Sequence, residues 1–82
     1  MRNDNIVKEY VKSISDSSLD DLFLKLQRKI GVDVADAADI LSQDKDVDKW
    51  LASASSADEW FEMMDRVHDI IKKEVYSRNK SK

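Results

Sequence analysis

Apolar residues recur along this chain at helical spacing and divide it into five amphipathic segments. Ile6, Val7, Tyr10, Val11 and Ile14 share one side of a segment from about Asp4 to Ser13, with Asn3 or Asp4 as the expected N-cap. Ser15-Asp16-Ser17-Ser18 interrupts that pattern and supplies the next cap. Leu19, Leu22, Phe23, Leu26 and Ile30 then form a stripe over about Leu19 to Ile30. Gly31 follows, where helices commonly end in a left-handed residue. A third segment starts near Asp33 and ends near Ser42, with Val34, Ala37, Ala38 and Leu41 on one face. The polar link Gln43-Asp44-Lys45-Asp46 leads to a short fourth helix, about Val47 to Ala54, whose apolar set is Val47, Trp50, Leu51 and Ala54. Ser56 and Glu59 have capping-box spacing and open the longest segment, about Ala57 to Ser77.

In that last segment Trp60, Met63, Met64, Val67, Ile70, Ile71 and Val75 cluster on one side, flanked by Phe61 and His68. The arc is about twice the roughly 100° that a surface helix needs. The expected position is therefore central, with other helices on two sides. A second molecule covering part of the arc, as in a homodimer, is the other way to bury it. Glu62/Arg66 and Asp69/Lys73 stand at i,i+4 with the acid first, the favourable order. Leu24 and Ile40 fall off their stripes and need a second neighbour or face solvent.

The fold class is thus all-α. Residues 1–78 form a single domain, a compact four- to five-helix bundle or orthogonal helical packing with a long C-terminal helix; 79–82 read as a disordered basic tail. A death-domain-like six-helix packing is the alternative at this length. Composition agrees: among 82 residues there is one glycine and no proline, so hairpin turns lack their usual residues. No cysteine occurs, which excludes disulfides and thiolate metal sites and suits a reducing compartment. No apolar run approaches the ~20 residues of a membrane span, and the first residues lack a signal-peptide pattern. The expectation is a soluble, cytoplasmic protein.

Charge adds the one strong asymmetry. The net charge of −3 divides into +1 for residues 1–32, −8 for 33–65 and +4 for 66–82. An acidic middle and a basic end are statements about partners more than about fold.

Candidate chemistry is sparse. His68 is the only histidine, and its possible orienters are Asp65 and Asp69. No Gly-x-Ser-x-Gly elbow accompanies it. It reads as a boundary histidine rather than a catalytic base. Asp44, Asp46 and Asp48 imitate positions 1, 3 and 5 of a calcium loop, but Lys49 stands where glycine belongs and Ser55 where glutamate belongs. They read as caps and dipole partners of the fourth helix. Gly31 alone cannot make a phosphate loop. No catalytic residue, metal site or cofactor is expected.

Residues 34–42 followed by 46–51 resemble a helix-turn-helix over about twenty positions, with Ala38, Ser42 and Val47 in the small and apolar roles. The resemblance implies a nucleic-acid-binding function. The would-be recognition helix, however, carries Asp44, Asp46 and Asp48 where base-reading and phosphate-neutralising residues belong. The tail residues Lys72, Lys73, Arg78, Lys80 and Lys82 offer non-specific phosphate contacts, with only Tyr76 as an aromatic companion.

The remaining reading is a small non-enzymatic protein-interaction module or regulator whose acidic surface, residues 33–65, engages a basic partner protein. Asp36, Asp39, Asp46 and Asp48 are the candidate acidic contacts. Leu24, Trp50, Trp60 and Phe61 are the candidate apolar anchors, because exposed tryptophans and other aromatics dominate binding hot spots. Helical spacing places the aromatics in the core first. Nucleic acid through the helix-turn-helix-like segment or the tail is the alternative.

Overall fold

The computed structural model describes residues 4–80. They form five helices and, among the described residues, no strand: α1 (Asn5–Ser13), α2 (Asp16–Arg28), α3 (Gly31–Leu41), α4 (Lys45–Ala52) and α5 (Ala57–Lys80). At 1.5 Å per residue the 24-residue α5 is about 36 Å long. It sets the 40 Å dimension of a 40 × 25 × 21 Å molecule. The six-helix alternative is not what the chain forms.

α5 packs against both α1 and α2, α3 packs on α2, and α4 packs on α1. The wide apolar arc of α5 is thereby explained. Met63, Met64, Val67, Ile70 and Ile71 are buried between two flanking helices. Val7, Val11, Leu19, Leu22, Ala37, Leu41 and Val47 are fully buried as well.

Local signals explain most boundaries. Ser15 caps α2 by accepting the Ser18 N–H at 3.2 Å, so the helix starts at Asp16, three residues before the expected start at Leu19. Asp44 caps α4 through the Val47 N–H at 3.0 Å, so that helix also begins early. Ser56 Oγ accepts from the Glu59 N–H at 3.1 Å, while the Glu59 carboxylate reaches back to the Ser55 N–H at 2.8 Å. The capping box forms, its return bond falling one residue upstream of the cap. At α1 the expected cap fails. Asp4 makes no side-chain cap bond, because its carboxylate is held by Arg66 at 2.6 Å. Asn3 lies outside the described residues.

The α2–α3 junction differs from expectation. Lys29, not Gly31, takes the left-handed conformation, at φ 55°, and its N–H closes on Leu26 O at 3.3 Å. Ile30 is extended and exposed instead of finishing the α2 stripe. Gly31 is the first residue of α3, has no positive φ, and a Cβ there meets nothing within 4 Å. Gly31→Ala is therefore expected to stabilise the domain by roughly 0.4–1 kcal/mol, through a less flexible unfolded chain. Urea titration of the two proteins checks the sign. Destabilisation would mean that Gly31, not Lys29, carries the left-handed turn.

α5 continues to Lys80, beyond the expected end at Ser77. Residues 79 and 80 thus belong to the helix, while 81 and 82 lie outside the described residues. Arg78 explains the extension. Its Nη2 donates to the carbonyls of Val11 (3.1 Å), Lys12 (3.3 Å) and Ile14 (3.0 Å). Nη1 meets Asp16 and Nε meets Glu74, each at 2.8 Å. One guanidinium satisfies the open end of α1 and ties the α1–α2 link to α5. The reading of Arg78 as a free tail cation is corrected accordingly.

Candidate interaction surface

Burial of one face of α3 and one face of α4 decides where the acidic residues go. Ala37 and Leu41 turn α3 inward, and Val47, Trp50 and Leu51 turn α4 inward. Asp36, Asp39, Asp46 and Asp48 are left on exposed positions. None of these four carboxylates forms an ion pair or side-chain hydrogen bond among the described residues. The contrast with other acids is clear. Asp4 pairs with Arg66, Asp16 and Glu74 with Arg78, and Asp21 with Lys25. Arg66 holds the Asp4 carboxyl below its ordinary value of 3.8 through their hydrogen bond.

The three aspartates that imitate a calcium loop separate. Asp44 caps α4. Asp46 joins Asp44 and Glu9 in a groove of about 200 Å³ beside Tyr10. Burial, with a smaller push from Asp44, raises the Tyr10 phenol above its ordinary value of 10.0. Asp48 faces a different groove, of about 440 Å³, between α3, α4 and the start of α5. Among the described residues no group of three or more His, Asp or Glu side chains is arranged to hold a metal ion.

The candidate anchors also divide. Trp50 is only 8% exposed and belongs to the core, so it is not a surface anchor; its indole N–H is buried without a partner among the described residues. Trp60 is half-buried on the wall of the Asp48 groove. Phe61 is exposed and meets Trp60 edge-on, with ring centroids 5.0 Å apart at 83°. Leu24 is exposed on α2 and lines neither acidic groove. Ile40 is half-buried against the core. Val32, Ile30 and Tyr76 are exposed apolar residues that periodicity did not isolate. The first two stand at the unforeseen α2–α3 turn.

The other pole is basic. Tyr76 and Phe23 share a shallow groove of about 620 Å³ with Val75, Lys72 and Lys80. Phe23 also lies 6.2 Å from the His68 ring. Burial, then the nearby Lys72 and Lys29, push the His68 imidazole below its ordinary value of 6.5, against a weaker pull from Asp69 and Asp65. Its Nε2 is buried and unpartnered among the described residues. Because the unfolded chain takes up this proton first, the stability it supports is complete above about pH 6.5 and declines as pH falls below it. Thermal unfolding between pH 8 and 5 is expected to show that decline in the natural chain. His68→Gln should lose this step; an unchanged pH dependence would contradict the assignment.

No helix among the described residues is long and apolar enough to cross a membrane. Comparison of the chain with protein-family models, with curated proteins and with solved structures gives no match.

Proposed function

We propose that this chain is a non-enzymatic helical protein-interaction module, a regulator of its partner, which it engages through the acidic surface of residues 33–65. The observation that supports this reading is the exposure of Asp36, Asp39, Asp46 and Asp48, without counterions among the described residues, on a segment of net charge −8. Uncompensated like charge costs the folded monomer some self-repulsion, and a basic partner removes that cost on binding. Such a surface also steers a basic partner toward encounter and discriminates against acidic ones.

The test is the fourfold variant Asp36→Asn, Asp39→Asn, Asp46→Asn, Asp48→Asn. At roughly 0.2–1 kcal/mol for each exposed pair, affinity for the partner is expected to fall about fourfold or more at low salt. Its dependence on salt should flatten as well. Unchanged affinity and salt dependence would remove the acidic surface from the account.

A second reading, single-stranded nucleic acid at the C-terminal end of α5, draws on the Phe23–Tyr76 groove with its lysines. A low-salt gel shift with single-stranded DNA and RNA decides it, since the absence of a shift dismisses this reading.

A further inference from the structure

The geometry points to the groove between α3, α4 and the start of α5 as a receptor for an arginine side chain of a basic partner segment. α3 packs on α2 and α4 packs on α1, and between these two helices and the start of α5 lies a concavity of about 440 Å³. Small side chains keep it open: Ala38 from α3, Ser42 just after it, and Ala54 and Ser56 from the link before α5. Its wall is Trp60, whose ring stands at 83° to that of Phe61. Its acid is Asp48, whose carboxylate has no partner among the described residues. Apolar methylenes suit the alanine-lined part of the groove, a guanidinium suits the indole face, and the carboxylate supplies the counter-charge. Arginine meets all three demands with one side chain, and its planar fork stacks where an ammonium offers only a point charge. An arginine here presupposes the acidic-surface reading and adds where on that surface the partner's charge is anchored.

The test titrates the intact ¹⁵N-labelled chain with an unstructured nonapeptide of alternating Arg and Gly, and with the same peptide carrying citrulline for each arginine. The two indole N–H signals, assigned with Trp60→Phe, give an internal control. The expected result is a saturable shift of the Trp60 indole and of the Ala38, Asp48 and Ser56 amides. The buried Trp50 indole should stay in place, and citrulline should produce no response. Asp48→Asn should weaken the arginine peptide about tenfold, more than Asp36→Asn does. Trp60→Phe retains a ring and the fold, and should weaken it less than Asp48→Asn. Shifts confined to the amides of Asp36, Asp39 and Asp46, with Trp60 unmoved, would overturn the groove and leave the acidic surface standing. No shift with either peptide would overturn the groove, while the acidic-surface reading answers separately to the fourfold variant. Equal response to arginine and citrulline would overturn the charge basis of both.

Discussion

Ile71→Ala is expected to cost about 2–5 kcal/mol, as buried Ile-to-Ala truncations do. Ile71 is fully buried on α5, the helix that both α1 and α2 grip. It belongs to one buried cluster that draws side chains from all five helices, and truncating it opens a cavity there. A domain of 82 residues has little stability to lose, so the variant should be largely unfolded near 37 °C. Leu24→Ala is the control. Leu24 is 55% exposed, and its truncation should change stability by no more than about 0.5 kcal/mol. Denaturant titration of both variants checks the contrast. A mild Ile71→Ala would mean that α5 is not the centre of the fold.

Arg78→Ala is the second large effect, and it acts on the chain ends rather than the centre. The carbonyls of Val11, Lys12 and Ile14 lose their donor, and Asp16 and Glu74 lose their counter-charge. The expected outcome is a lower melting temperature and faster amide exchange in the last turn of α5 and at the α1–α2 link. Arg78→Lys should recover only part of this, because an ammonium cannot span five acceptors in one plane. Full recovery by lysine would show that charge alone, without the fork, does the work. Exchange confined to residues beyond 77 would show that Arg78 only extends α5.

These two residues mark the limit of what the sequence makes legible. Ile71 stands on a regular apolar stripe, and periodicity suffices to place it in a central helix. Arg78 looks like one of several tail cations, because its five acceptors come from 4 to 67 positions away. Local spacing sees the first and not the second. The same blindness explains Arg66, whose i,i+4 partner in the sequence is Glu62 but which reaches Asp4. Asp69 stays local, meeting Lys72 at i,i+3 and 3.9 Å in place of Lys73. Packing of α1 on α5 brings Asp4 to Arg66 and overrides the helical pair. Lys29 carries the left-handed turn, although Gly31 is the residue type that tolerates it best. The turn's place is set by how α3 must leave α2, which residue preference alone does not determine.

For the candidate surface, the acids were legible and the anchors only partly so. Alternation with Ala37, Leu41 and Val47 leaves Asp36, Asp39, Asp46 and Asp48 nowhere to go but outward. Helical spacing treats Trp50 and Trp60 alike, since each belongs to an apolar set. Tertiary packing separates them: Trp50 is buried in the core, while Trp60 stays half open on the groove wall. That groove has no signature in the chain, because it is made by small residues from three elements that do not fill a space.

The most direct measurement of the central claim is affinity capture from lysate, with and without nuclease, using the natural chain and the fourfold Asp-to-Asn variant as parallel baits. The account predicts a basic protein that the natural chain retains, that moderate salt releases, and that the variant fails to hold. Equal retention by both baits, or capture that vanishes with nuclease, would contradict it.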